Sequence, residues 1–166
     1  CAFSVNELFA KQTLRNRTVI VTSQGAKNLT VPVIRPFGKD TKMEEVMISY
    51  AEDWQKNHWK SIESAYSSAP YFEFFEKDVE AFYQTKFKTL VELNHASQQM
   101  LLSWFEEKVP QIQEGSIELN EILLADKKQV SDKKYWQVFQ DKIGFTETSS
   151  ILDCIFCEGN YGFQSL

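Results

Sequence analysis

The densest cluster of side chains able to grip an anion is Lys11, Gln12, Arg15, Asn16 and Arg17. If Arg17 begins a β-strand, Arg15 and Arg17 project from the same face, because side chains alternate along a strand. Two guanidiniums on one face can hold a phosphate or carboxylate through bidentate hydrogen bonds, a geometry that lysine cannot reproduce. The plainer reading is a solvated strand end whose arginines pair with nearby carboxylates, and on the residues alone both stay open. His58 is the acid–base candidate, because an imidazole exchanges protons near neutrality. It stands among Trp54, Ile62 and Tyr66 at helical spacing, where a packed histidine bonded to a carbonyl is the more frequent outcome. Asp153 lies inside the apolar run ILDCIFC, and a carboxylate there must be paired or functional. An arginine of the Arg15/Arg17 pair is its expected partner.

Cys154 and Cys157 form a C-x-x-C, but a zinc site would want a second pair of ligands. The two histidines, His58 and His95, are far apart in sequence and lack an H-x-x-x-H arrangement, so no metal is expected. A redox pair should sit between a strand and the start of a helix, in surroundings that lower its pKa. These cysteines fall late in an apolar helix, and their expected role is that of small buried hydrophobes. No glycine-rich phosphate loop, nucleophile elbow or glycosidase carboxylate pair is present, and no cofactor is implied.

The elements that must position these residues can be read from periodicity. Trp54, His58, Ile62 and Tyr66 recur at every fourth position and line one stripe of a helix, with Trp59 and Ala65 widening it. Asp53 is placed to cap its first turn, and Pro70 closes the segment. Arg17 to Thr22 and Asn28 to Ile34 are β-branched runs that predict an antiparallel hairpin with a five-residue loop at 23–27. Pro32 inside the second run demands an edge position or a bulge. Glu45 to Ser49 predicts a third short strand. A second helix is expected over Pro70 to Gln84. Thr89-Leu90-Val91-Glu92 has the form of a capping box that opens a third helix reaching about Val109. Beyond Pro110, extended pieces are expected at 117–124 and at Tyr135 to Phe139. A short helix follows Ser149-Ser150 and ends near Gly159. Strands and helices without regular alternation predict an α+β fold, a small mixed or mainly antiparallel sheet covered by about three main helices.

Composition sets the bounds. At 166 residues and 43% hydrophobic content, the chain can bury a core as one domain over residues 1–166. Its net charge of −5 gives no general attraction to nucleic acid or anionic lipid, so an anionic ligand would need a local basic patch. No stretch has the length of a membrane span. Three cysteines supply no even set for a disulfide framework, which favours a reducing cytoplasm. Cys1 at the first position reads either as a lipidated cysteine or as a cut inside a longer protein. The strand-like residues that follow it favour the cut.

Taken in order, Gln12, Arg15, Asn16 and Arg17 before a strand, the LTVPV run of Leu29 to Val33, the Trp54 helix with Ala69-Pro70-Tyr71-Phe72, Asn94 in a long helix, and Ser150 to Phe156 resemble the WbqC-like family. That family is bacterial and associated with gene clusters for surface-polysaccharide sugars such as O-antigen. The resemblance runs from about Leu8 to Gly159 and implies an upstream segment, rich in Gln, Pro and aromatics, that would precede Cys1. It further implies a sugar-modifying transferase, with members assigned to aminoacyl (glycyl) transfer onto an amino sugar. A non-catalytic nucleotide-sugar-binding or assembly protein of the same pathway is the rival. On this reading Gln12, Arg15, Asn16, Arg17, Trp54 and Tyr66 bind a sugar or nucleotide-sugar substrate, and His58 or Asp153 supports proton transfer. The acyl donor is an unspecified second substrate.

Overall fold

The computed structural model describes residues 6–10, 13–105 and 134–162. Its backbone divides into two compact units, one formed by residues 1–16, 32–50 and 87–130 and the other by residues 17–31, 51–86 and 131–166.

The second unit starts with the hairpin. Strand β1 (Arg17–Thr22) pairs antiparallel with β2 (Gly25–Thr30), Arg17 opposite Thr30 and Thr22 opposite Gly25. Ser23-Gln24 alone makes the turn, shorter than the five-residue loop expected. The reason lies in Gly25, whose φ of 107° lets the chain reverse early and brings Ala26 and Lys27 into the ladder. Pro32 accordingly falls just past β2, where no ladder hydrogen bond is required of it.

Helix α1 (Trp54–Tyr66) follows, with Trp54, His58, Ile62, Ala65 and Tyr66 buried along the expected stripe. The Asp53 side chain makes no capping bond; its main-chain carbonyl instead accepts from the Asn57 N–H. Helix α2 (Phe72–Gln84) buries Phe72 and Val79. Residues 135–139 do not form the expected strand, because side chains rather than a neighbouring strand take up their main-chain donors. Trp136 N–H donates to Glu158 and Gln137 N–H to Gln140. That segment leads into the single turn α4 (Gln140–Ile143).

Helix α5 (Ile151–Gly162) is fixed to the hairpin by the Ser150 N–H, which donates to the Val19 carbonyl. Gly159 interrupts it with φ 75°. The Tyr71 N–H donates to the Phe156 carbonyl, and the Tyr71 ring lies where a side chain at Gly159 would project.

The first unit holds a two-stranded antiparallel sheet, β3 (Val33–Ile34) with β4 (Met47–Ile48). It also contains helix α3 (Leu90–Ser103). The capping box forms as the sequence predicts: the Glu92 N–H donates to the Thr89 hydroxyl, and the Thr89 N–H donates to the Glu92 carboxylate. The Leu90 N–H donates to the Val46 carbonyl, which seats the helix on the segment before β4. Phe9, Met43, Val46, Ile48, Leu90, Leu93 and Trp104 are buried in this unit. The fold is α+β, with the sheet content divided into two small hairpin-like pairs where one small sheet was expected. The expected extended piece at 117–124 lies outside the described residues. No described helix is long and apolar enough to cross a membrane.

The two glycine sites predict different costs. At Gly38 (φ 60°) an added Cβ meets open space, so Gly38→Ala should lose only backbone preference, about 1 kcal/mol. At Gly159 the same conformational penalty is joined by a Cβ only 3.0 Å from the Tyr71 ring. Gly159→Ala should therefore cost more, roughly 2–3 kcal/mol. Urea unfolding of both variants checks the ranking.

Candidate functional site

The centre of the second unit is a carboxylate. Asp153, on the first turn of α5, is fully buried. Its Oδ1 accepts from the Tyr66 hydroxyl at 2.8 Å; its Oδ2 accepts from the Tyr135 hydroxyl at 2.6 Å and from the Gln137 amide at 2.7 Å. Tyr66 in turn accepts from the Val21 N–H at 3.0 Å. Gln137 closes a small ring with Thr146, donating to its carbonyl at 3.1 Å and accepting from its N–H at 2.7 Å. One carboxylate thereby ties β1, α1, the 135–146 segment and α5 together. The arginine expected beside Asp153 is not there, and neutral donors take its place. Burial, followed by the negative charge of Asp153, raises both phenol pKa values well beyond the ordinary range, so both hydroxyls stay protonated as donors.

His58 lies on the buried stripe of α1, 8% exposed, with its ring edge-on to Trp54 at 5.1 Å and to Tyr83 at 5.9 Å. Burial lowers its pKa to about 4; a hydrogen bond to the Thr30 backbone works against that, and the Lys27 charge adds to it. At neutral pH the ring is uncharged.

The arginine cluster does not take the arrangement that strand alternation implied. Arg15 sits in a 3₁₀ turn (Leu14–Asn16), and β1 starts only at Arg17, so the two-residue strand spacing does not apply to the pair. The Arg15 guanidinium donates to the Glu7 carboxylate at 2.6 Å, with the Arg15 side chain only 9% exposed. Asn94 donates to the Arg15 carbonyl at 3.0 Å. Arg15 and Asn16 belong to the first unit, while Arg17, Trp54, His58, Tyr66 and Asp153 belong to the second. Gln12 lies outside the described residues.

Burial raises the thiol pKa of Cys154 to about 11 and of Cys157 to about 12, and both remain free cysteines packed in α5. Thiols held that high are poor nucleophiles and poor metal ligands at neutral pH. No group of three or more His, Cys, Asp or Glu residues with metal-binding geometry occurs among the described residues.

The second unit also carries an open groove of about 290 Å³, lined by Thr22 at the end of β1, Ser23 and Gln24 of the hairpin turn, Lys27 of β2, Lys60, Ser61, Ser64 and Ala65 of α1, and Phe139. Its lining combines amines, hydroxyls, an amide and one aromatic ring, the mixture that a hydroxylated polar ligand requires. Each wall is anchored to the Asp153 network: Val21 precedes the hairpin turn, Tyr66 follows Ala65, and Gln137 stands two residues before Phe139. Of the described sequence candidates, the structure joins Tyr66 to Asp153, and none of them lines the groove. Tyr135 and Gln137 escaped sequence reasoning because nothing local marks a bond to a residue so far along the chain. The groove did leave a trace, since Lys60, Ser61 and Ser64 share the polar side of α1, but that side reads as ordinary solvated surface.

The WbqC-like protein family profile matches residues 3–135, most of the chain. The chain belongs to the WbqC-like family. Membership connects it with that family's polysaccharide-related proteins. The matched range closes at Tyr135, so Asp153 and Phe139 stand beyond it. Within the curated proteins, this WbqC-like chain is 41% identical over 64 residues to the uncharacterized protein Rv1507c of Mycobacterium tuberculosis, covering 39% of this chain and 27% of that protein. The match thus spans about a quarter of that relative's length. No solved structure matches.

Removing the Asp153 carboxylate takes one shared acceptor from two hydroxyls and an amide at once. Asp153→Ala should destabilise the protein by roughly 3–5 kcal/mol. Tyr135→Phe and Asp153→Asn, each milder, should combine non-additively in a double-mutant cycle because they share one bond. Additive effects by denaturant unfolding would contradict the network.

His58 makes a pH prediction. Its folded pKa of about 4 lies below the ordinary value of 6.5, so the unfolded chain takes up the proton first as pH falls. The stability tied to the neutral ring is intact above 6.5 and is lost as pH drops through about 4. The stability difference between wild type and His58→Gln should shrink by roughly 2–3 kcal/mol across that window. Unfolding measured at several pH values reads this directly; parallel curves would remove His58 as the cause.

Proposed function

We propose that this WbqC-like protein handles a sugar intermediate of surface-polysaccharide biosynthesis in the cytoplasm, with the groove between the hairpin turn and α1 as its sugar-binding surface. The observation that carries the reading is the lining itself: its described residues include four hydroxyl side chains, two amines, an amide and one aromatic ring. Such a set can exchange hydrogen bonds with several sugar hydroxyls while a ring packs against the apolar face of the pyranose. The free thiols of Cys154 and Cys157 accord with a reducing compartment.

Within that reading, the binding role is the better supported. His58 is neutral and packed between aromatic rings, and both Asp153 oxygens are engaged in hydrogen bonds. Neither lines the groove. The protein then presents an activated sugar to a partner enzyme of the pathway. The second reading is a transferase that joins an aminoacyl group, such as glycyl, to the nitrogen of an amino sugar. It draws on the family connection and on the presence of His58 and Asp153 in the same unit as the groove.

One assay separates the two. The protein is titrated with a nucleotide-linked amino sugar and then incubated with it, glycine and ATP, and the sugar is weighed by mass spectrometry. Saturable binding without mass change is expected. A glycyl adduct that depends on the protein would establish the transferase, and absence of binding would remove the sugar reading altogether.

A further inference from the structure

The groove is cationic in a protein that is not. The chain carries a net charge of −5, yet among the described residues no carboxylate lines the groove, while Lys27 and Lys60 both do. Lys27 is held in place: its ammonium donates to the Ser61 hydroxyl at 2.9 Å, and that hydroxyl donates onward to the Asn57 carbonyl at 2.7 Å. An ammonium has three donors, so this bond fixes the Lys27 position and leaves two N–H groups for a ligand. Neither lysine makes an ion pair with a carboxylate among the described residues. Two amines left uncompensated in a concave, hydroxyl-lined surface favour a bound anion.

We infer that Lys27 and Lys60 form a phosphate-binding site, and that the ligand is a monosaccharide carrying its own phosphate. This rests on the sugar-binding reading of the groove. The choice of phosphate follows from the donors. They come from β2, the hairpin turn and α1, and so approach from several directions, which suits the oxygens of a tetrahedral anion better than the two coplanar oxygens of a carboxylate. The choice of a small ligand follows from size. A groove of about 290 Å³ stands at the bottom of the range for small-molecule sites, enough for one sugar and its phosphate but not for an enclosed nucleotide as well. Any nucleotide portion of a nucleotide-linked sugar therefore projects outside, and the site reads the sugar phosphate end. Arg15, the earlier anion candidate, is committed to Glu7 and has no part in this site.

The test is calorimetric titration with glucose 1-phosphate, inorganic phosphate, glucose and glucuronate, on the wild type and on Lys60→Gln, Lys27→Gln and the double variant, with melting curves to confirm folding. Glucose 1-phosphate should bind best, losing roughly tenfold in affinity for each lysine removed; wild-type affinity should fall as salt is raised, and the loss per lysine should shrink. Glucuronate should bind more weakly. Glucose 1-phosphate bound equally by wild type and the folded double variant would overturn the phosphate site while leaving the sugar reading intact. Inorganic phosphate bound as tightly as glucose 1-phosphate, and lost in the lysine variants, would keep the anion site but overturn its assignment to a sugar. Absence of binding by both phosphate probes would overturn the inference.

Discussion

The second unit depends on the satisfaction of one buried charge. A carboxylate taken out of water costs several kcal/mol unless its lone pairs find donors, and the burial of Asp153 is complete. Three donors from two separate segments meet that demand: Tyr66 from α1, Tyr135 and Gln137 from the stretch before α4. Because the donors are neutral, no second charge needs to be desolvated. The requirement turns hydrophobic packing, which tolerates sliding, into a fixed register among β1, α1 and α5. Tyr66 carries that register to the hairpin through its bond from Val21.

Rigidity at this centre has a consequence at the surface. Thr22, Ser23, Ser64, Ala65 and Phe139 of the groove lie one or two positions from the network residues Val21, Tyr66 and Gln137, so errors in the core would appear as displaced groove walls. Binding sites need first-contact groups held by a supporting layer, and on the proposed reading the Asp153 network supplies that layer. On the proposed sugar-binding reading, Asp153 and Tyr66 place the groove without lining it. His58 contributes in the same indirect way, filling the space between α1 and α2 as an uncharged ring.

The family connection and the geometry speak about different parts of the chain. The WbqC-like match covers residues 3–135 and therefore includes the hairpin, α1, α2 and α3, together with both groove lysines. Asp153, Gln137 and Phe139 lie past it. The part of the groove furthest within the match is the cationic, hydroxyl-bearing wall, and the part outside the match supplies the aromatic wall and the carboxylate anchor.

Local rules settled much of the fold. The stripe Trp54, His58, Ile62 and Tyr66 determined α1 and its buried face, since a helix can hide those four side chains together and a strand cannot. Thr89 and Glu92 determined the start of α3, because a capping box needs only neighbours three residues apart. The β-branched run from Arg17 to Thr22 determined a strand, although the turn position depended on one glycine conformation. The polarity of Cys154 and Cys157 was equally legible, as small apolar side chains within an apolar helix. What the sequence left open were the long-range bonds. Nothing near Asp153 announces Tyr66, 87 positions away, or chooses two phenols and an amide over an arginine. Nor does the polar side of α1 distinguish a solvated face from the wall of a groove. That distinction arises only when the hairpin turn and Phe139 come to stand opposite it, because concavity belongs to several segments at once and to none of them alone.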